Sequence, residues 1–271
     1  MKVSVVGTGY VGLVSGVCLA SKGHDLVCID VMQDKVDRIN AGDPPIYELG
    51  LEKMLKELVS SGKLKATTEL QDAVINSDLS LIAVGTPFDG SAIDLKYIRQ
   101  VAKEIGQAIA KKDSYHVVIV KSTVVPGTTE DVVLPLLEEF SGKKAGVDFG
   151  VGMNPEFLKE GEAIADFMEP DRIVLGGIDE RTIDTLDALY DCFPDTDKIR
   201  TSPRTAEMIK YAANSLLATL ISFSNEIANL CTKVGNVDVV DVLRGVCLDK
   251  RFSPIMEDGQ RVTPSMVTYV E

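Results

Sequence analysis

The sequence predicts an α/β fold, an open doubly wound parallel sheet followed by a long helix, and three observations carry that prediction. Short β-branched runs alternate with stretches of helical period through the first 195 residues. A glycine-punctuated turn separates the first such run from the first helix. Residues 205–234 then hold one apolar-periodic stretch without Pro or Gly.

Residues 3–6 (Val-Ser-Val-Val) read as the first strand, residues 7–12 as the turn, and residues 13–22 as a helix closed by Gly23. Residues 26–30 give the next strand, so a strand, glycine turn, helix and strand fall within thirty residues, the order of a parallel βαβ unit. Further strands are expected at 79–84, 117–121, 149–153 and 173–176, separated by helical segments such as 95–110 and 130–140, with helices on both faces. The helix at 205–234 is too long to cap a strand unit. It is expected to leave the first domain and pack against a second domain or another subunit. A further helix is expected at 237–244, and from Asp249 the chain is polar and irregular. The expected domains are 1–195 and 196–271.

The 28 Lys and Arg against 41 Asp and Glu leave a formal charge of −13, which argues against nucleic acid as a partner, because a phosphate-tracking surface needs a dominant basic patch. With 45% apolar and 25% charged residues the chain has ample material for a core. Cys18, Cys28, Cys192, Cys231 and Cys247 are odd in number and form no C-x-x-C pair, which suits reduced thiols in a cytoplasmic protein better than disulfides or a metal site. No apolar run reaches the ~20 residues of a membrane helix. Glycines interrupt the apolar amino terminus and Val17 precedes Cys18, so a cleaved export signal is not expected.

Gly7-Thr8-Gly9-Tyr10-Val11-Gly12 is a G-x-G-x-x-G turn. Gly7 permits the tight turn, Gly9 lets the backbone approach a pyrophosphate, and Gly12 allows close helix packing. Alone the pattern is weak and fits a plain structural turn. Here it follows a strand, opens a helix, and is answered by Asp30 at the end of the second strand, the context of a Rossmann-type dinucleotide site. Asp30 can accept hydrogen bonds from both ribose hydroxyls and repels a 2′-phosphate, so NAD is expected over NADP.

Lys121-Ser122-Thr123-Val124-Val125-Pro126-Gly127-Thr128 and Gly85-Thr86-Pro87 both follow buried strands, at the edge where open α/β sheets bind ligands. Strand-end turns of this kind are also common as plain structure. In Asn154-Pro155-Glu156-Phe157-Leu158-Lys159-Glu160-Gly161 two carboxylates stand four apart, which predicts one face of a helical turn and a pair able to hold a water or share a proton. Acids stabilising a helix start would look the same. Lys210 and Asn214 are likewise four apart on the long helix, where a partly buried lysine is a candidate acid, base or anion anchor and a solvated one a mere stripe. His24 and His116 have no partner motif and are assigned to structure. Cys18, Cys28 and Cys231 are expected to be buried as small hydrophobes, and Cys192 and Cys247 lack the Gly-rich, basic surroundings of a thiolate nucleophile.

With VVGTGYVGL at the start, IYELGL at 46–51, VGTP at 84–87, KSTVVPGTT at 121–129, NPEFLKEG at 154–161 and EMIKYAANS at 207–215, nearly the whole chain resembles the amino-terminal part of the UDP-glucose/GDP-mannose dehydrogenases. The family usually has Pro where Leu49 stands. The resemblance implies oxidation of the C6 alcohol of a UDP-sugar, with UDP-glucose the expected one, to a carboxylate by two hydride transfers to two NAD+ through a thioester on a cysteine, in the supply of polysaccharide precursors. It implies that Gly7, Gly9, Tyr10, Val11, Gly12 and Asp30 bind NAD, with Lys35 near the adenosine ribose and Thr86 and Thr123 near the cofactor. Thr123 and Glu156 resemble residues that position a catalytic water, and Phe157, Leu158, Lys159 and Glu160 resemble the lining of the nucleotide-sugar site. Glu160 is also carried over as a catalytic candidate. Lys210 resembles the cation that stabilises alkoxide and oxyanion intermediates, Asn214 its hydrogen-bonding companion, and Arg251 an arginine given to the substrate by a neighbouring subunit. The helix at 205–234 resembles the start of an all-α dimerisation domain, which implies a homodimer.

In the family a Gly-Gly-Ser-Cys-Phe-Pro-Lys-Asp segment with the nucleophilic cysteine follows the region aligned with residues 266–271, and a carboxyl-terminal domain holds the UDP. The residues given stop ahead of both, and Cys247 matches no catalytic position. The resemblance therefore implies cofactor binding without turnover for these residues by themselves. Two other readings compete: a single-step β-hydroxyacid dehydrogenase, whose relatives also place Lys-x-x-x-Asn on a long helix, and a catalytically silent NAD-binding module.

Overall fold

A computed structural model of the protein describes residues 1–249 together with the short strands Ile255–Glu257 and Gln260–Val262. A first compact unit spans Met1–Tyr211 and a second begins at Ala212. The first unit is built on one eight-stranded sheet in the order β3-β2-β1-β4-β5-β6-β7-β8. Its strands are β1 (Lys2–Val6), β2 (Asp25–Ile29), β3 (Leu64–Thr67), β4 (Leu79–Ile82), β5 (His116–Val120), β6 (Phe149–Met153), β7 (Ile173–Gly177) and β8 (Lys198–Thr201).

Alternate residues along each strand feed opposite faces, as the pleat requires. Val3, Val5, Leu81, Ile119 and Leu175 join one core layer, which is shared with α1 (Tyr10–Ser21), α3 (Leu51–Ser60), α7 (Ala163–Met168) and α8 (Glu180–Leu189). Val6, Ile82, Val118, Val120, Val151 and Val174 join the other, against α4 (Leu70–Ile75), α5 (Lys96–Ala110) and α6 (Leu134–Ser141). Both faces are thus covered, which is why the strands read as continuous apolar runs. A π-helical turn, Thr129–Val133, leads into α6, and α2 (Gln33–Asn40) follows β2.

Strand order reverses between β1 and β4, and the turns after these two strands diverge there to open a crevice at the carboxyl edge. The sheet is parallel from β3 across to β6, but β7 pairs antiparallel with β6, and β8 runs parallel to β7. The expected doubly wound parallel sheet is present, with the direction reversed at these two edge strands. The segment after β6 stays at the carboxyl edge, so the chain re-enters the sheet from the edge it left. Strand pairing is confined to Gly152 with Gly177 and Met153 with Gly176, where a Cβ on Gly152 would lie 2.3 Å from the Gly176 carbonyl oxygen. The start of β7 therefore projects beyond the edge, beside residues 154–156.

The long helix α9 runs Pro203–Val234, and its first turns close the first unit. Ala206 sits against Gly176, where a Cβ on the glycine would meet the alanine Cβ at 2.8 Å. The first compact unit thus continues past residue 195, because β8 completes the sheet and α9 begins by packing on it.

In the second unit α9 continues to Val234 and is closed by Gly235 at φ +77. Helix α10 (Val239–Cys247) is capped by Asp238, which accepts from Val240 N–H at 2.8 Å, and β9 (Ile255–Glu257) pairs antiparallel with β10 (Gln260–Val262). Leu216, Leu220 and Phe223 recur at helical spacing on α9 and are exposed. No helix among the described residues is long and apolar enough to cross a membrane.

Candidate active site

The three glycines of the first turn meet different demands. Gly7 has φ +101, and a Cβ there would lie 2.6 Å from the Ala83 carbonyl oxygen. A Cβ on Gly12 would lie 1.9 Å from the Gly7 oxygen. Gly9 has φ −71, and a Cβ on it would meet nothing within 4 Å. The chain itself needs the first and third glycines, whereas the space over Gly9 is open to a group from outside. Gly9 is also the N-cap of α1, with no side-chain hydrogen bond and no acid in the first turn. The leading N–H groups, those of Tyr10 and Val11 among them, have no intrahelical acceptor and are available to an anion.

Asp30 emerges at the end of β2 beside this turn. Its Oδ2 accepts from the Thr8 amide at 3.1 Å and the Thr8 hydroxyl at 2.5 Å, and its Oδ1 from the Met32 amide at 3.0 Å. Lys35, on α2, brings Nζ within 3.4 Å of Oδ2. Burial works to raise the Asp30 pKa, but the Thr8 and Met32 hydrogen bonds and the Lys35 charge outweigh it and hold the carboxyl below its ordinary value. Oδ2 is saturated by these donors. Oδ1 accepts from the Met32 amide alone and keeps a direction open to a hydroxyl.

Further along the edge, the Thr86 hydroxyl donates to the Thr123 carbonyl at 2.8 Å and ties the turns after β4 and β5 together. Lys121, at the end of β5, is buried and donates to Asn154 Oδ1 at 2.8 Å. The buried Tyr190 hydroxyl donates to the same oxygen at 2.6 Å, while Asn154 Nδ2 donates to the Val174 carbonyl at 2.9 Å. Burial lowers the Lys121 pKa to about 8, with Glu156 opposing and Lys210 assisting. A cavity of about 230 Å³ opens beside this group, lined in part by Lys121, Asn154, Phe157, Arg172 and Tyr190.

Glu156 and Lys210 form an ion pair, Nζ to Oε1 2.7 Å, with both side chains at least nine-tenths buried. The other carboxylate oxygen accepts from the Leu158 amide at 2.7 Å. Phe157 presents its ring to Arg172 at 3.8 Å and to Lys210 Nζ at 5.3 Å. Two lysines and one carboxylate thus converge in low-dielectric surroundings, an excess of positive charge suited to an oxygen that develops negative charge.

The expected pairing of Glu156 with Glu160 is corrected. Residues 154–159 are not helical, because the Glu156 carboxylate turns back onto the Leu158 amide, and Glu160 lies exposed in a turn. Lys159 is exposed and faces α7, at 2.6 Å from Glu162 and 3.3 Å from Asp166. Leu158 is half-buried. Asn214 lies one helical turn beyond Lys210 on α9, exposed and in the second unit. Arg251 lies outside the described residues.

Two buried acids were not singled out by sequence reasoning. Glu207, one turn before Lys210, accepts from the Gly127 amide at 2.5 Å and from the Thr129 amide and hydroxyl at 2.8 and 2.7 Å. Glu48, in the IYELGL segment, accepts from the Tyr10 hydroxyl and from the amides of Gly161 and Ala163 at 3.0 and 3.1 Å. Both lie inside quoted motifs, which is the one signal the sequence offers. His116 is structural: it is buried between the Ser80 hydroxyl at 2.8 Å and Lys112 Nζ at 2.9 Å. Cys18 and Cys28 are buried, and burial pushes both thiols up to about 12, which leaves them unreactive.

The family model described as "UDP-glucose/GDP-mannose dehydrogenase family, NAD binding domain" matches residues 1–194, and the family's central-domain model matches residues 204–264. The chain belongs to the UDP-glucose/GDP-mannose dehydrogenase family. It is 47% identical over 254 residues to a GDP-mannose 6-dehydrogenase of Pseudomonas savastanoi pv. phaseolicola, covering 93% of this chain and 58% of the relative. It is 45% identical over 259 residues to a UDP-glucose 6-dehydrogenase of Rhizobium meliloti, covering 93% of this chain and 57% of the relative. Among solved structures it is similar to a ternary complex of GDP-mannose dehydrogenase from Pseudomonas aeruginosa, with a TM-score of 0.89 and 47% identity over 92% of this chain and 57% of that one. The chain therefore spans somewhat over half the length of these relatives. Its first domain is the family's NAD-binding domain, and the open space over Gly9 and the uncapped start of α1 fit the cofactor's diphosphate.

Proposed function

We propose that this chain carries the cofactor site and part of the reaction centre of an NAD-dependent nucleotide-sugar 6-dehydrogenase, which oxidises the C6 alcohol of a UDP-sugar, UDP-glucose in the first place, to a carboxylate with two NAD+ per sugar. The buried Lys210–Glu156 pair at the carboxyl edge of an NAD-binding sheet carries the reading. NAD+ bound there supplies the hydride acceptor. Gly7, Gly9, Tyr10, Val11 and Gly12 seat its diphosphate, Asp30 and Lys35 hold the adenosine ribose, and Thr86 and Thr123 border the nicotinamide side. Lys210 Nζ stabilises negative charge on the C6 oxygen, with Asn214 as its hydrogen-bonding companion. The Thr123 hydroxyl and Glu156 hold a water, and Phe157, Leu158, Lys159 and Glu160 line the sugar-nucleotide side. Residues 205–234 begin an all-α domain through which two copies pair, and Arg251, outside the described residues, is assigned to the substrate of the partner copy.

GDP-mannose is the second reading, because relatives named for it match at 47% beside 45% for one named for UDP-glucose. The test is NADH production by the full-length protein with UDP-glucose, GDP-mannose and a β-hydroxyacid, under NAD+ and under NADP+. Two NADH per sugar nucleotide, with NAD+ strongly preferred, is the expected result. One NADH per β-hydroxyacid, or none with any substrate despite cofactor binding, would overturn it.

A further inference from the structure

The first residue of the cofactor helix is joined to the segment that carries Glu156 through one buried acid. Of residues 47–49 only Glu48 is buried, while Tyr47 and Leu49 are exposed. Among the described residues no Lys or Arg pairs with the Glu48 carboxylate. Its donors are the Tyr10 hydroxyl and the Gly161 amide at Oε2 and the Ala163 amide at Oε1. The Tyr10 hydroxyl also accepts from the Gly161 amide at 2.9 Å and lies 3.3 Å from the Lys159 carbonyl. Burial, and then the bond to Glu48, push the Tyr10 hydroxyl up to about 12, so it keeps the proton it donates.

A buried carboxylate without a cation is costly unless its lone pairs are filled. Here Glu48 is the acceptor shared by the Tyr10 phenol and the amides of residues 161 and 163, and the Gly161 amide also reaches the phenol directly. An apolar contact between the same segments has no preferred direction, whereas these hydrogen bonds weaken steeply as donor and acceptor turn out of line.

We infer that Tyr10 and Glu48 are positioning residues that couple cofactor binding to the sugar-nucleotide side: seating of the NAD+ diphosphate on the start of α1 fixes Tyr10, and Tyr10, through Glu48, fixes residues 159–163 and with them the loop that presents Glu156 to Lys210. This rests on the cofactor site proposed above. It assigns Glu48 no contact with either ligand, and its effect is a change in how strongly one site feels the other.

Hydrogen exchange of the Gly161 and Ala163 amides, with and without saturating NAD+, reads the coupling directly, because both amides end on Glu48. NAD+ is expected to slow their exchange by about fivefold or more in the natural protein and by less than about twofold in Tyr10→Phe and Glu48→Gln. A purely structural role would raise exchange in the variants equally with and without NAD+, and an NAD+ effect of the same size in all three proteins would overturn the inference. So would an absence of any effect in the natural protein when titration calorimetry shows NAD+ bound. Absence of NAD+ binding itself would overturn the cofactor site and the coupling with it. Tyr10→Phe keeps the ring, which packs against the core, so it carries the test should Glu48→Gln fail to fold.

Discussion

The Glu207 carboxylate reaches from the first turns of α9 to Thr129, accepting from its amide at 2.8 Å and from its hydroxyl at 2.7 Å, and thereby fixes the helix that bears Lys210 against the turn that follows Thr123. Burial raises the Glu207 pKa, although the Thr129 and Gly127 hydrogen bonds work against that rise. Arg204 reinforces the contact from outside through Asp131 at 2.9 Å.

Removing Glu207 strands three buried donors. Glu207→Ala is expected to cost about 3 kcal/mol in chemical unfolding, since each buried polar group left unpaired costs on the order of 1 kcal/mol or more. Glu207→Gln keeps one acceptor oxygen and is expected to cost less than half as much. Equal losses in the two variants would show that one retained acceptor oxygen offsets nothing and that the charge or both oxygens are required.

The Lys210–Glu156 pair gives a second expectation, because each partner left alone is a buried uncompensated charge. Lys210→Met and Glu156→Leu are each expected to lose about 3–5 kcal/mol of stability, and the double variant is expected to recover most of that loss. Activity would not recover with it: kcat of the full-length protein should stay depressed by about 100-fold or more in the double variant. A stable double variant with near-normal kcat would remove Lys210 from the chemistry.

The βαβ unit was legible because its determinants are local. Val3, Val5 and Val6 state a strand, and the spacing of Gly7, Gly9 and Gly12 states a turn whose sterics the structure reproduces. The direction of β7 was not legible, since the apolar run Ile173–Gly177 reads the same either way and the path of the preceding segment decides it. Glu156 and Glu160 misled by spacing alone, because a side chain that bonds the amide two residues on competes with the helix that spacing assumes. Glu48 and Glu207 stayed hidden for another reason. A buried acid is stable only where donors converge on it, and theirs come from segments far away in sequence.

The glycines of the first turn should separate under substitution. Gly12→Ala places a Cβ 1.9 Å from the Gly7 oxygen, so it should fold poorly or not at all. Gly9→Ala meets nothing within 4 Å and should retain its stability within about 1 kcal/mol, the scale of N-cap preferences, while NAD+ affinity measured by calorimetry falls at least about tenfold. Undiminished NAD+ binding by Gly9→Ala would mean that the open space over Gly9 is not where the diphosphate sits.

His116 gives the stability its own pH dependence. Burial foremost, and the Lys112 ammonium 2.9 Å away, lower its pKa to about 3, while the Ser77 carbonyl works weakly against them and Ser80 holds the other ring nitrogen. Burial lowers the Lys112 pKa below its ordinary value, and Asp78 opposes that shift. The unfolded chain takes up the imidazole proton near pH 6.5 and the folded chain near 3, so the unfolded state binds the extra proton between these values. His116 therefore contributes stability above pH 6.5 that is lost as pH falls through this window, with a slope of up to about 1.4 kcal/mol per pH unit. Urea unfolding of the natural protein and of His116→Asn from pH 7 to pH 4 should differ by that slope, the carboxylates common to both cancelling in the difference. Parallel pH profiles would mean that His116 is protonated in the folded state.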